Sequence, residues 1–178
     1  MSAPFLVTER FDLCPFALED LEELLALVSH PETRRFLGRE EPTRANHWQR
    51  ILRGAGGWAL YGYGPLAVRE RGKPAIIGSG GIFPSWREEP AEFADVAEAG
   101  WIVRADRIGQ GVASEVMRAV LQWFDAEHGD RVVCMIDQAN APSIRLAGKL
   151  GFGKTGSTRI GGDTLDLFDR PAARADTL

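Results

Sequence analysis

Residues 104–115 read RADRIGQGVASE, with Gly109 and Gly111 flanking Gln110 and the small run Val112-Ala113-Ser114 behind them. From there Val112, Val116, Val120, Trp123 and Phe124 recur on one face of a 3.6-residue period, which predicts a helix over about 112–127. Glycines directly ahead of a helix have two uses. They supply dihedrals closed to other residues, and they let backbone approach a ligand closely. A helix entered through such a turn also presents unpaired N–H groups at the positive end of its dipole, where a phosphate binds well. On this segment alone a plain loop and a phosphate cradle both stand.

The elements on either side give the context. Residues 96–103 read as a strand, and the wholly apolar Val132–Ile136 as a strand buried on both faces. A short helix over 142–150 ends at Gly151, and strands follow near 154–160 and 165–170. Toward the N-terminus, residues 6–13 form a strand candidate. A helix over 18–28 presents Leu21, Leu24, Leu25 and Val28 on one face and stops at Pro31. A second helix covers about 43–53 with Thr43 as N-cap. Strands over 66–70 and 75–83 are joined by an Arg-Gly-Lys-Pro turn, and 84–94 read as a polar loop. The order is strand, helices, three strands, helix, strand, helix, two strands. It predicts an α/β (α+β) fold with a mixed sheet in one domain, residues 1–170, with 171–178 as a tail.

The composition is that of a globular chain: 178 residues, 44% hydrophobic, 26% charged, with a formal net charge of −4. A general nucleic-acid or membrane-surface binder normally carries a basic surplus, so neither partner is expected. The first ten residues lack a basic segment followed by an apolar stretch, and no run approaches the roughly 20 apolar residues of a membrane span. A cytoplasmic location is expected. Cys14 and Cys134 sit in apolar stretches outside any CxxC, and the three histidines lack metal-ligand spacing, so two reduced core thiols and no metal site are expected.

Rival motifs are weaker. A dinucleotide fingerprint wants a third glycine where Ser114 stands and a strand directly before the turn, although Asp137 could meet a ribose. No Gly-Lys-Ser/Thr marks a P-loop. Ser79, in Ile-Gly-Ser-Gly-Gly, lacks the first glycine of a nucleophile elbow.

Four stretches taken together carry more: Glu98-Ala-Gly-Trp-Ile-Val, Gly109-Gln-Gly-Val-Ala-Ser-Glu, Asn140-Ala-Pro-Ser143 and Lys149-Leu-Gly-Phe152. In these the chain resembles the GNAT superfamily of acetyl-CoA-dependent N-acyltransferases. It is most similar to the branch holding the Rim-type ribosomal-protein N-terminal acetyltransferases. The resemblance implies a mostly antiparallel sheet flanked by helices, with a splayed acetyl-CoA cleft between its two central strands. It implies that the backbone of Ile108, Gly109, Gln110, Gly111, Val112, Ala113 and Ser114 cradles the pyrophosphate, and that Ile102 and Val103 pair with the pantetheine arm. Asn140 is expected to serve the turn, and the resemblance implies that it also contacts that arm. The superfamily pattern runs Arg or Gln, two residues, Gly, one residue, Gly or Ala. Gly111 and Ala113 fill its last two places, but its first falls on Ile108, with Arg107 one residue early.

Acetyl transfer from a thioester to an amine needs a deprotonated amine, a donor for the oxyanion and an acid for the departing thiolate. Glu98 is the base candidate, against the alternative of an ordinary strand glutamate, with Asp95 and Glu92 nearby. Many relatives carry a tyrosine seven residues after the motif asparagine, where this chain has Ala147. Ser143 matches the serine of the Rim-type branch and is the acid candidate; it also stands where a helix-capping residue would. The N–H near Val103 is the implied oxyanion donor. A route through a Cys134 thioester is the weaker alternative to direct attack.

The acceptor site is expected among residues 36–58 and the loop near 84–87, with Trp58, Tyr61, Phe83 and Trp86 as candidate walls and Gly54–Gly57 and Tyr61–Gly64 as flexible neighbours. The leading reading is an acetyl-CoA-dependent N-acetyltransferase acting on a primary amine, a protein N-terminus or a small molecule, in a ternary complex. A non-catalytic CoA-binding module and an NAD-dependent oxidoreductase are the alternatives. A monomer or a homodimer is expected.

Overall fold

The computed structural model describes residues 3–38 and 41–173. Its strands are β1 (Leu6–Val7), β2 (Phe11–Pro15), β3 (Pro65–Glu70), β4 (Ile76–Ser85), β5 (Val96–Val103), β6 (Val132–Asp137), β7 (Gly153–Ile160) and β8 (Asp163–Arg170). They form one sheet in the order β1-β2-β3-β4-β5-β6-β8-β7. Neighbours are antiparallel except β5 and β6. The helices are α1 (Leu21–Ser29), α2 (Pro31–Arg34), α3 (Arg44–Tyr61), α4 (Val112–Glu127) and α5 (Ala141–Lys149). The mixed α/β class and the mostly antiparallel sheet are as the sequence indicated. The doubly wound parallel sheet of a nicotinamide enzyme is ruled out, because a single strand pair is parallel.

Strand alternation distributes the core between two faces. α4 buries Val112, Val116, Met117, Val120, Leu121 and Phe124 in a cluster that includes Leu13, Leu66, Val68, Ile82 and Ala99. Each such side chain contributes about 1.5–3 kcal/mol when fully buried. α1 and α3 pack a second cluster, in which Leu24, Leu27 and Ile51 meet Ala67 and Ile76. Leu27 fills the core position there, and Leu25 is half-buried.

Four expectations change. Residues 6–13 are two short antiparallel strands, because Thr8 folds the chain back and its hydroxyl accepts from the Phe11 N–H. β4 continues to Ser85, so the loop starts later than expected. The second helix runs to Tyr61, straight through Gly54-Ala-Gly-Gly57, and Gly62 ends it in the left-handed conformation. Gly54 and Gly57 are packing residues, whereas a Cβ on Gly56 would meet open space. A Cβ on Gly54 would come within 2.9 Å of Pro65, and one on Gly57 within 3.1 Å of Pro84. The predicted tail begins just past β8, and its residues 174–178 lie outside the described residues.

Both cysteines are buried, and neither forms a disulfide among the described residues. Among the described residues there is no group of three metal-capable side chains, and no helix is long and apolar enough to cross a membrane.

Candidate active site

β5 and β6 pair only at Ala97–Val132 and Glu98–Val133, then separate. The Arg104 N–H donates to Ile77 O at 2.8 Å. Because strand residues alternate, Ile102 turns its own backbone groups toward β4, while Ala99, Trp101 and Val103 aim theirs at the gap. A cavity of about 380 Å³ fills that gap and reaches both faces of the sheet.

On the α1–α3 face stands Glu98, 6% exposed. Arg87 donates to both its carboxylate oxygens at 2.9 Å. The ionised carboxylate is the form that such a fork requires. Asp95 and Glu92 are exposed and outside the cavity. Phe36, Phe83 and Arg50 border the same side. The other wall candidates do not reach it. Trp58 joins Phe5 and Trp123 in an aromatic cluster and donates to Pro65 O, Tyr61 packs on Tyr63, and Trp86 is 76% exposed.

On the α5 face, the Trp101 indole N–H donates to Ser143 Oγ at 3.2 Å. With that oxygen accepting from the indole, the hydroxyl proton remains to be donated elsewhere. The helix cap is Asn140, whose side-chain oxygen accepts from the Ser143 N–H at 3.2 Å. Both residues border the cavity. Asp137, at the end of β6, is occupied by the Ala139 N–H at 2.8 Å. Cys134 also lines the gap, but burial, and then the Glu98 charge, push its thiol far up from the ordinary value. A thiol held protonated is a poor nucleophile.

The glycine turn lies next to the gap in sequence. Gly109 and Gly111 have φ of +78° and +77°. Gly111 is the N-cap of α4, and no side chain caps that end. Space is open where a Gly109 Cβ would point. Val112 puts its side chain in the core, Ile108 is 54% exposed, and Gln110 ties itself back to Asp106 O at 2.8 Å. Ala113 and Ser114 are half-buried in the first turn. Beside the turn a cavity of about 290 Å³ is bordered by Arg10, Arg71, Lys73 and Arg107 and by one carboxylate, Glu70, which pairs with Lys73 at 2.6 Å and Arg107 at 3.2 Å. Buried Arg107 Nε has no hydrogen-bond partner among the described residues. Uncapped N–H groups, a glycine approach and surplus cationic donors fit the phosphates of a CoA thioester.

Three residues of the site were not singled out from the sequence: Arg87, Trp101 and Arg50. Arg87 and Arg50 lay within stretches assigned to the acceptor side. Trp101 lay within a motif that was quoted, two residues before Val103.

This fold, open between its two parallel strands beside a glycine turn, is that of an acetyltransferase. The family model for the acetyltransferase (GNAT) domain matches residues 10–153, and the chain belongs to that family. It is an acyltransferase. It is 27% identical over 158 residues to the uncharacterized N-acetyltransferase p20 of Bacillus licheniformis, a match covering 86% of this chain and 85% of p20. A GnaT-family acetyltransferase from Bordetella pertussis superposes with a TM-score of 0.83 at 29% identity, over 93% of this chain and 98% of that one. The microcin C7 self-immunity acetyltransferase MccE, solved with acetyl-CoA and AMP, shares the fold at a TM-score of 0.74 and 17% identity, over 96% and 97% of the two chains.

Proposed function

We propose that this enzyme transfers an acetyl group from acetyl-CoA to a primary amine by direct attack in a ternary complex. One observation carries the reading: a single cavity through the sheet has Glu98 on one face and the Trp101-oriented Ser143 on the other. Acetyl-CoA supplies the activated acyl group. The backbone of Ile108 to Ser114 holds its phosphates, and the open edge at Val103, with Ile102 beside it and Asn140 opposite, holds the pantetheine arm. The occurrence of acetyl-CoA in the MccE structure agrees with this.

The acceptor enters from the α1–α3 face. Its ammonium gives a proton to Glu98, directly or through water, and the freed lone pair attacks the carbonyl carbon. The Val103 N–H donates to the oxygen on which charge develops. As the C–S bond breaks, the Ser143 hydroxyl donates to the departing sulfur. Holding both substrates across the gap supplies several kcal/mol more of the barrier reduction.

Calorimetric titration with acetyl-CoA, followed by thiol detection with and without amines, tests this. Binding with thiol release only in the presence of an amine is expected. Binding without turnover across a broad amine panel would establish a non-catalytic CoA module instead, and no binding would refute the reading.

A further inference from the structure

Among the described residues, two arginines, Arg50 and Arg87, line the acceptor side of the cavity. Arg87 is committed to Glu98. Arg50, from the middle of α3, has no hydrogen-bond or ion-pair partner among the described residues, yet it lines the main cavity. It reaches that cavity through a small apolar collar that includes Phe16, Leu24 and Ile51. Loss of solvent around its guanidinium, and then the neighbouring Arg53 charge, push its pKa down from the ordinary arginine value. Arginine nevertheless stays protonated in proteins. A half-buried guanidinium with no counter-ion among the described residues is an arrangement that an anion relieves. The planar fork of a guanidinium matches a carboxylate or a phosphate-type group with two parallel hydrogen bonds.

Among the described residues, the remaining charges around the cavity do not pair with it. Asp137 is engaged by the Ala139 N–H, and Asp137 and Asp163 both lie on β6 and β8, across the gap from β5. Glu98 is engaged by Arg87. His47, which lines the same collar, offers no negative charge, and burial lowers its pKa. Among the described residues, the cavity therefore has a carboxylate suited to an ammonium at one place and an unpaired guanidinium at another.

We infer that the acceptor is a small molecule carrying both a primary amine and an anionic group, and that Arg50 binds the anion while the amine meets Glu98. This rests on the acetyl-transfer reading above and narrows its acceptor. The anion is a carboxylate, as in an amino acid, or a phosphate-type group, as in an aminoalkyl phosphonate.

Two arms test it. In the first, thiol release from acetyl-CoA is followed with the twenty amino acids, their amides, 2-aminoethylphosphonate and tripeptide amides. In the second, the CoA-loaded protein is titrated calorimetrically with N-acetylated members of the same set. The anionic members should exceed their neutral twins by about 10- to 100-fold in kcat/KM or affinity. Arg50→Ala should abolish that preference, with acetyl-CoA binding showing that the variant is folded, and Arg50→Lys should restore it only partly. Carboxylates ahead of phosphonates, or the reverse, identifies the anion. If no amine is acetylated but N-acetylated anions bind in an Arg50-dependent way, the anion site stands and the transfer reading falls. Amides or tripeptide amides equal to the anions in both arms, or no member binding at all, overturns the inference.

Discussion

Arg87 and Glu98 meet through two parallel hydrogen bonds of 2.9 Å each, at the last paired residue of β5 before the sheet opens. The pair is asymmetric: the Glu98 side chain is 8% exposed and that of Arg87 30%. Arg87 thus positions a nearly buried carboxylate at the mouth of the gap. Glu98→Gln removes the proton acceptor and keeps the shape. Its kcat should fall about 10²- to 10⁴-fold, while the acetyl-CoA dissociation constant from calorimetry stays the same. A kcat that survives this change would remove Glu98 from the mechanism.

Ser143 and Asn140 have separable roles. Ser143→Ala takes away a hydroxyl oriented by Trp101 but leaves the helix cap intact, so kcat should drop with little change in Tm. Asn140→Ala removes the cap, which contributes about 1 kcal/mol, or about 2–4 °C of Tm in a chain of this length. Thermal unfolding and steady-state rates on the two variants separate the effects. Equal rate losses with equal loss of Tm would reduce Ser143 to a structural residue.

Gly109 combines a left-handed φ of +78° with open space in front of it. Gly109→Val should lower Tm through a strain of about 1–2 kcal/mol. It should also weaken acetyl-CoA by about tenfold or more, which is about 1.4 kcal/mol. Gly151, with φ +89° at the far end of α5, is the control. Gly151→Val carries similar strain and should leave the acetyl-CoA affinity unchanged. Calorimetry on both variants decides whether the turn is a ligand cradle.

His47 gives the fold a pH dependence of defined sign. It is 8% exposed, and its Nε2 has no hydrogen-bond partner among the described residues. Burial lowers its pKa below the ordinary value of 6.5, the Thr43 carbonyl opposes that, and Arg50 adds to it. As pH falls, the unfolded chain takes up the proton first, so the folded state loses stability. Full stability from this residue is present above pH 6.5 and declines below it. In His47→Gln the fall of Tm between about pH 7 and 5 should be shallower than in the wild type. An unchanged slope would show that His47 does not contribute.

Much of the architecture could be read because local pattern and tertiary packing agree. The expected boundaries of α4 and β5 coincide with those observed, since α4 has a sustained apolar stripe and β5 is flanked by a polar loop and the glycine turn. Gly54 and Gly57 misled because low helix propensity suggests a loop. Close approach to Pro65 and Pro84, which needs the fold, explains them. The gap between β5 and β6 leaves no trace in periodicity, and only the family resemblance suggested it. Glu98 and Ser143 could be named from motifs. Their partners Arg87 and Trp101 could not, because register and side-chain direction bring them together.

The central claim is direct transfer across the gap between β5 and β6, and initial-rate kinetics with acetyl-CoA and an accepted amine both varied tests it most directly. Intersecting double-reciprocal lines, with no thiol released before the amine is added, are the expected result. Parallel lines with a burst of thiol before the amine is added would mean an acetylated enzyme, and would contradict direct attack.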